Sequence, residues 1–459
     1  MSAIGTVLVY AIHRTEDWWG YVAKNLGYGK SIVVTDIRGA GDYSVVDDFY
    51  AEYHRQAKLP IPQTVLLMDS EIDDVIARCR LLRWLPKRKA AAMVCAMAHA
   101  FDRVLEIEQP SVIVSFPIDR YVSDILERLG KKRGIPYFEL TASLVSEMSM
   151  LLCRGQLVKE SQEPDAEIVN ATISEIATPT FTPSYVQTKT KYTIWRFLKV
   201  FSYFKIRGLT FWLMSYLKND PLNLHYLDSQ SFLGHKPRLS DIQIHNLVDV
   251  GWRTTVDGFS KSKRIFFGLQ LFPEASIDYW IANIEQIDYE NIIVEAAAAF
   301  SKAGFLILVK DHPLQFGFRQ CELVKRLKDI ENVVFVPYDI SGNELLDLCE
   351  ANFTLTGTLG LQAALLGKKS ITARNYYAND EDFITFSTKE EIAALPKRVE
   401  QFAPSLPLEQ RRYRIMRDLL QGSFNGHFFT FKKFDLQNPD PRIKTMAHEL
   451  GNRLRQFAK

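Results

Sequence analysis

Short apolar runs alternate with amphipathic stretches along most of the C-terminal half of the chain. Five runs have the length and composition of buried strands, and helical periodicity fills the intervals between them: residues 264–270, 305–309, 333–336, 351–355 and 370–373. Strands that alternate with helices through short connections predict a parallel, doubly wound sheet. Polar residues follow directly where these strands end, and such sheets bind ligands at that edge.

The N-terminal half repeats this alternation with other lengths. Strand-like runs occupy residues 6–13, 31–35, 64–68, 111–115 and 134–138, and a long amphipathic pattern covers residues 90–107. We therefore predict an α/β protein that contains two Rossmann-like, doubly wound halves.

The predicted domain organisation has four parts. Residues 1–185 form a Rossmann-like domain, 186–262 a helical linker, 263–400 a second Rossmann-like domain, and 401–459 a set of C-terminal helices. Residues 156–184 are rich in Glu, Thr, Ser and Pro, and are predicted to form a surface loop.

The linker begins with an unusual composition. Between residues 186 and 219 basic and aromatic residues are interleaved and no acidic residue occurs; the basic ones are Lys189, Lys191, Arg196, Lys199, Lys205, Arg207 and Lys218. Helices of this kind can lie in the interface of an anionic membrane. The alternative is a helix between domains, whose aromatic side chains pack on a neighbour.

Composition narrows the class of protein. Of the 459 residues, 47% are hydrophobic and 24% charged, as in globular proteins, and a net charge of +2 argues against general nucleic-acid binding. No apolar run approaches the roughly 20 residues of a spanning helix. No secretory signal is evident, so we expect a cytoplasmic protein. The five scattered cysteines are expected to be buried, reduced thiols.

The first group of candidate site residues follows the strand at 305–309. His312 and Pro313 come where this strand ends, and Lys310 precedes them. Proline stops the strand, which leaves the imidazole at the sheet edge, where it can donate a hydrogen bond to a phosphate or carboxylate. The alternative is a turn histidine that is satisfied by backbone groups.

A second group follows the strand at 351–355. The turn Thr356-Gly357-Thr358-Leu359-Gly360 leads into a helix, and glycines let a ligand approach the N–H groups at the helix start. The threonine hydroxyls add hydrogen-bond donors. The turn thus predicts a phosphate-binding cradle without a Walker lysine, although Thr and Gly also serve as plain helix caps.

The remaining candidates end other strands. Gln270, Glu274 and Ser276 follow the first strand of the C-terminal domain, where a carboxylate can act as base, nucleophile or hydroxyl binder. In the N-terminal domain His13, Asp119, Arg120 and Glu139 also end predicted strands. The acidic clusters near Asp42 and Asp380 lack a matching histidine, so no metal site is predicted.

These motifs together resemble a known family. The stretch from Phe267 to Ser276, the residues Val309 to Pro313, and the stretch from Thr356 to Lys369 are similar to bacterial capsule polysaccharide biosynthesis glycosyltransferases, a group that includes β-Kdo transferases. The resemblance covers roughly residues 264–386.

The resemblance implies a metal-independent GT-B glycosyltransferase of capsule or lipopolysaccharide assembly. Its GT-B-like fold would consist of two Rossmann-like, doubly wound domains that face a central cleft, with additional helices. A nucleotide-sugar, with CMP-Kdo as the suggested donor, would bind the C-terminal domain through Gln270, Ser276, Lys310, His312, Pro313 and the turn from Thr356 to Gly360. No cofactor is implied. Glu274 stands where Kdo transferases usually carry an Asp that acts on the sugar, and His312 would take part in catalysis by stabilising the departing nucleotide. The glycan or glycolipid acceptor would bind the N-terminal domain through His13, Arg120 and Glu139, with Asp119 as the catalytic candidate there.

Two other functions stay open. A CDP-linked polyol-phosphate transferase would share the cytidine nucleotide but would form a phosphodiester. A non-catalytic subunit of a glycan-assembly complex would retain the fold without turnover.

Overall fold

A computed structural model describes residues 5–12, 14–181, 192–222, 235–272 and 274–457. The predicted acceptor residue His13 and the basic residues Lys189 and Lys191 lie outside these ranges.

The strands alternate with helices through most of the described chain. They are β1 (Thr6–Ala11), β2 (Lys30–Thr35), β3 (Tyr43–Ser44), β4 (Val112–Ser115), β5 (Tyr137–Ala142), β6 (Met148–Cys153), β7 (Gln156–Leu157), β8 (Arg264–Gly268), β9 (Leu306–Lys310), β10 (Val333–Phe335), β11 (Ala351–Phe353), β12 (Lys369–Ala373), β13 (Ile384–Phe386) and β14 (Ser423–Asn425).

The α-helices vary from one turn to more than six. They are α1 (Glu16–Asn25), α2 (Val46–Gln56), α3 (Asp69–Arg78), α4 (Lys87–Glu108), α5 (Tyr121–Lys132), α6 (Ala166–Ile176), α7 (Ile194–Leu217), α8 (Trp252–Asp257), α9 (Ala275–Asp278), α10 (Tyr289–Lys302), α11 (Cys321–Lys328), α12 (Gly342–Leu348), α13 (Thr358–Leu365), α14 (Leu395–Gln401), α15 (Leu408–Gln421) and α16 (Pro441–Arg455). Among the described residues, no helix is both long and apolar enough to cross a membrane.

Tertiary contacts divide the chain into two units. The first unit comprises the described residues up to Glu163 together with those from Leu420 onward, and the second unit comprises those from Pro164 to Leu419. The division into four domains that we made from the sequence stays a prediction.

The second unit contains a parallel sheet in the order β10-β9-β8-β11-β12-β13. Counted from β8 as the first strand, this is the Rossmann order 3-2-1-4-5-6. The strand order reverses between β8 and β11, which is where such sheets bind ligands. The five strands predicted in this region are confirmed, and β13 was not foreseen.

Both faces of this sheet are covered. Ile265 and Phe267 of β8 belong to one buried cluster with α10 and α11, and Phe266 belongs to another with α8 and α12. Because side chains on both faces are buried, the strands are continuous apolar runs, and the runs therefore predict them well.

The first unit contains a mixed sheet in the order β14-β6-β5-β4-β1-β2-β3, with β7 paired to β6. Strands β1 to β5 are parallel, and β6 pairs antiparallel with both β5 and β14. The strand order of β1 to β5 is again Rossmann-like. The prediction of two Rossmann-like α/β units is confirmed by the two sheets.

Three details of the prediction are wrong. Residues 64–68 form a loop, with the Val65 side chain 97% exposed, and β3 takes the edge position instead. The stretch predicted as a loop after residue 156 contains α6, whose first turn is capped by the Asp165 carboxylate accepting from Glu167 N–H at 2.7 Å. Cys153 ends β6 and is exposed, whereas the other four free cysteines are buried as expected.

The C-terminal segment completes the first unit. β14 pairs with β6, and α16 buries Ile443, Met446, Leu450 and Leu454 completely. A side chain at Gly451 would overlap the carbonyl oxygen of Leu26, so α16 approaches the end of α1 closely.

Candidate functional site

The sheet order of the second unit brings three predicted motifs to one edge. β8 lies between β9 and β11, and all three strands are parallel, so their carboxyl ends lie side by side. Gln270 to Ser276 follow β8, His312 follows β9, and Thr356 to Gly360 follow β11. The predicted convergence of His312 and the threonine-glycine turn on one sheet edge is therefore what the fold shows.

Gln270 joins the loop after β8 to the loop after β11. Its buried side-chain oxygen accepts hydrogen bonds from the N–H groups of Leu355 at 3.0 Å and Thr356 at 2.8 Å. Its amide nitrogen donates to the Thr356 hydroxyl at 2.9 Å and to a carboxylate oxygen of Glu274 at 3.2 Å. Gln270 therefore fixes the geometry of the switch point and orients Glu274.

Thr356 and Ser276 belong to the same buried network. Their hydroxyl groups are 2.8 Å apart, and both residues are buried. These two predicted donor-binding residues thus support the loops from beneath. Gly357 and Thr358, by contrast, are half-buried and reach the surface of the edge.

A second glutamine joins the loops after β8 and β9. The Gln315 amide donates to the carbonyl of Phe272 at 3.0 Å and accepts from its N–H at 3.1 Å. Phe272 also stacks on Tyr289, whose hydroxyl accepts from Gln270 N–H at 2.8 Å. All three loops are consequently tied to one another.

Beneath His312 lies a buried ion pair that the sequence did not reveal. Arg319 donates to one oxygen of Asp311 from two nitrogens, at 3.0 and 2.7 Å, and Tyr338 donates to the other oxygen at 2.6 Å. Arg319 also donates to the Gln270 carbonyl at 2.5 Å. Burial disfavours the charged guanidinium, but Asp311 outweighs it and raises the pKa of Arg319.

His312 begins a short 3₁₀ turn, Pro313–Gln315, and is half-buried. Its Nδ1 accepts a hydrogen bond from Leu314 N–H at 3.2 Å. Burial, opposed in part by Asp311, lowers the pKa of His312 to about 4. At neutral pH the ring is therefore uncharged and carries its proton on Nε2, which makes it a hydrogen-bond donor and not a base.

Lys310 lies deeper than the sequence suggested. It is the last residue of β9, it is 6% exposed, and its ammonium donates to the carbonyl of Asp311 at 3.3 Å. Burial lowers its pKa. Lys310 therefore contributes positive potential from below the edge, while Pro313 is half-buried at the surface.

The N-terminus of α13 opens onto the same edge. Gly357 precedes the helix and no side chain caps it, so the first N–H groups are available to an anion. Gly360 lets the helix approach Tyr377 in the segment after β12, because a methyl group there would lie 2.6 Å from the Tyr377 hydroxyl. Within the described residues no cluster of His, Cys, Asp or Glu could hold a metal ion.

The predicted acceptor residues belong to the first unit. Arg120, which is buried, donates to Asp119 at 3.0 Å and to Asp36 at 3.5 Å. Although burial opposes its charge, both carboxylates raise the pKa of Arg120. The sequence did not indicate Asp36, because nothing in its spacing relates it to residues more than 80 positions away.

Glu139 does not end its strand as predicted. It lies inside β5, opposite Ser115, and β5 continues to Ala142 because β6 pairs with it. Its fully buried carboxylate accepts from Arg154 N–H at 3.1 Å. Asp119 and Arg120 come after β4 as expected, and the acceptor-binding role of all these residues stays a prediction.

Residues 239–378 match the family model described as "Capsule polysaccharide biosynthesis protein". The match contains the three loops that converge on the sheet edge. This segment is therefore similar to the capsule polysaccharide biosynthesis family. The resemblance inferred from the sequence motifs is thereby confirmed for this segment, here named the capsule-synthesis segment. No curated protein matches the chain in sequence.

Several solved structures are similar to the chain at low levels. The β-Kdo 2,7 transferase of KpsC from Thermosulfurimonas dismutans is 11% identical, with a TM-score of 0.32, covering 78% of this chain and 89% of that one. The β-Kdo 2,4 transferase of the same protein is 14% identical, with a TM-score of 0.32 and coverages of 68% and 80%. UDP-GlcNAc 2-epimerase from Methanocaldococcus jannaschii is 13% identical, with a TM-score of 0.25 and coverages of 91% and 99%. Because these TM-scores are low, our description of the fold is based on the strand orders of the two sheets and not on these similarities.

Proposed function

We propose that the protein is a glycosyltransferase of capsule polysaccharide synthesis that uses a nucleotide-activated sugar. The observation that carries the proposal is the convergence of three loops at the switch point of the second sheet, within the capsule-synthesis segment. There, an uncapped helix start and a neutral histidine donor stand beside a carboxylate.

In this proposal the nucleotide phosphates bind at the N-terminus of α13 and His312. Cleavage of the donor leaves negative charge on the departing nucleotide, which the helix N–H groups stabilise. The Nε2–H of His312 donates a further hydrogen bond, and the buried Lys310 adds positive potential. These groups supply the electrostatic stabilisation without a metal ion or cofactor.

Glu274 is the proposed residue that acts on the sugar. It precedes α9, it is half-buried, and Gln270 holds one of its carboxylate oxygens. A carboxylate positioned beside a phosphate-binding helix can act as a base or as a nucleophile toward the sugar. The similarity to Kdo transferases makes CMP-Kdo the first donor to test, and a surface glycan or glycolipid the first acceptor.

The acceptor is assigned to the first unit. Asp119 follows β4 at the carboxyl edge of that sheet and is partly exposed, so it is the candidate there for contact with a sugar hydroxyl. Reaction with a nucleotide-sugar and a growing glycan would take place on the cytoplasmic side of the membrane.

A panel of nucleotides tested by thermal shift, followed by turnover of the matching sugar donors, examines this proposal. A nucleotide that binds only the native protein raises its unfolding midpoint. We expect Glu274→Gln to keep that shift and to lose turnover by a factor of roughly a hundred or more. A product with a phosphodiester linkage, or a wild-type protein that neither binds nucleotides nor turns over donors, would refute the proposal.

A further inference from the structure

The outward face of α7 is apolar, the reverse of what a helix on a protein surface normally shows. Phe197 and Phe204 are buried on the inner side, and Phe204 packs against Phe318 with ring centroids 5.4 Å apart. On the outer side Trp195 is 80% exposed and Tyr216 is 79% exposed. More than a third of each of the following side chains is also exposed: Ile206, Leu209, Trp212, Leu213 and Leu217.

These exposed residues form one continuous stripe. Ile206, Leu209, Leu213 and Leu217 are separated by three or four positions, which places them on one side of the helix. Trp212 and Tyr216 extend this stripe on one flank. Packing of α7 within the second unit therefore accounts for part of the aromatic content that the sequence showed, and it leaves this stripe in contact with solvent.

The charge on the helix has one sign. Arg196, Lys199, Lys205, Arg207 and Lys218 are all basic, and no Asp or Glu occurs between residues 192 and 219. Lys199 and Lys205 are exposed on the same side as the apolar stripe. Arg207 is half-buried and lies 4.5 Å from the ring centre of Phe211.

We propose that this face of α7 docks into the interface of an anionic lipid membrane. Its Trp, Tyr and Leu side chains would enter the boundary between headgroups and acyl chains, while Lys199 and Lys205 would contact lipid phosphates. A helix with tryptophan and tyrosine beside lysine, and without acidic residues, matches the chemistry of that interface. The helix does not satisfy the requirements for crossing a membrane, which agrees with a position in the plane of the surface.

Charge favours the membrane over a second copy of the chain. In a two-fold contact through this face, the lysines of one copy would meet the basic face of the other with no acidic residue to pair with them. An anionic lipid surface instead supplies negative charge along the whole length of the helix.

The docked helix would also hold the candidate site near the lipid surface. An open cavity of about 520 Å³ lies between one side of α7 and the loops after β8 and β9, and its lining includes Lys199, Val200, Phe272, Leu314 and Phe318. The loops after β8 and β9 carry Glu274 and His312. This consequence rests on the proposed function, whereas membrane docking itself does not.

Vesicle flotation of the full chain tests the proposal. We expect binding to phosphatidylcholine vesicles that contain phosphatidylglycerol, weaker binding as salt is raised, and little binding to pure phosphatidylcholine. The variant Leu209→Ser/Trp212→Ser/Leu213→Ser should have an affinity for these vesicles that is lower by on the order of tenfold or more. Serine buries less apolar surface in the membrane interface than leucine or tryptophan does. Lys199→Glu/Lys205→Glu should lose the preference for anionic lipid.

The substituted side chains are exposed, so all variants should fold, and the unfolding midpoint with and without nucleotide checks this. Val65→Ser/Val250→Ser removes equally exposed apolar side chains elsewhere and should bind vesicles like the wild type. No binding by the wild type, or equal binding by the triple-serine variant, would overturn the proposal. Self-association that the triple-serine variant abolishes, without vesicle binding, would assign the face to a second copy. A nucleotide-induced shift in any of these cases leaves the proposed function intact.

Discussion

His312 has two groups with separate tasks. Nδ1 accepts a hydrogen bond from Leu314 N–H and stabilises the turn. In the proposed function, Nε2–H donates a hydrogen bond to the phosphate of the ligand. Asparagine reproduces the acceptor near the backbone, as in an Asx turn, and glutamine carries an N–H donor closer to the position of Nε2.

We therefore expect His312→Gln to retain more turnover than His312→Asn, because the donor to the leaving phosphate is kept. The loss for His312→Asn should be on the order of tenfold to a hundredfold in kcat/KM. Unfolding midpoints should show the opposite ranking, since asparagine keeps the cap. Equal turnover in the two variants would reduce His312 to a turn residue.

The lowered pKa of His312 predicts a pH-dependent stability. The imidazole titrates near 6.5 in the unfolded chain and at about 4 in the native state, so the unfolded state binds more protons between these values. Stability contributed by the neutral ring is thus complete above about pH 6.5 and is lost as the pH falls toward 4.

The difference in unfolding free energy between the wild type and His312→Asn should accordingly shrink as the pH is lowered through this window. Denaturant unfolding at several pH values measures it. A difference that stays constant from pH 7 to pH 4 would contradict an uncharged histidine.

At the scale of elements, the site depends on side chains that join loops. Gln270 satisfies two backbone N–H groups of the loop after β11. Replacing it by methionine keeps the volume and removes these acceptors. Gln270→Met should cost about 2–4 kcal/mol in unfolding free energy and should lower nucleotide affinity as well.

The exposed residue Gln437 supplies the control, because its hydrogen bond to Asp435 is made by its backbone N–H. Gln437→Met should leave stability within about 0.5 kcal/mol of the wild type. Denaturant unfolding and nucleotide thermal shift measure both effects. A Gln270→Met protein as stable as this control would show that the loops do not need the glutamine.

Which elements could be predicted follows from how each is stabilised. β8, β9 and β11 are buried on both faces, so their apolar composition alone identifies them. The strand order then places the polar residues that follow these strands at the same edge of the sheet. β13 is three residues long, and β14 pairs with a strand more than 270 positions earlier, so neither has a local pattern. Residues 64–68 have the composition of a strand, but no strand in the described part of the chain pairs with them.

The same limit applies to the site. His312 and the Thr356 to Gly360 turn were recognisable because each follows a strand directly. Arg319 and Tyr338 were not, since their contact with Asp311 joins residues that are up to 27 positions apart and depends on the fold. Similarly, sequence could suggest Thr356 as a ligand-binding hydroxyl, but its burial beneath Gln270 exists only in three dimensions.

On the scale of the whole molecule, the first unit is built from two segments of the chain, one before and one after the second unit in the sequence. β14 and α16 contribute an edge strand and a set of fully buried side chains to it. A chain that ends at Gln421 should therefore lose protection from hydrogen exchange in β1 to β6, while the second unit keeps its protection and its nucleotide-induced shift.

Removing only the last two residues is the matched control, because it keeps α16 and also Phe457, whose ring lies 5.1 Å from that of Phe138 in β5. That variant should exchange like the full chain. Protection of β1 to β6 in the shorter protein would show that the first sheet is stable without β14 and α16.

The discontinuous first unit has a consequence for biogenesis. During translation, residues 164–419 emerge from the ribosome before β14 and α16, which complete the sheet of the first unit. The second unit can therefore reach its native state before the first unit does. Until β14 and α16 have emerged, the edge of β6 and the apolar surface that α16 covers would be exposed. We expect chaperones to bind the nascent chain at these two places.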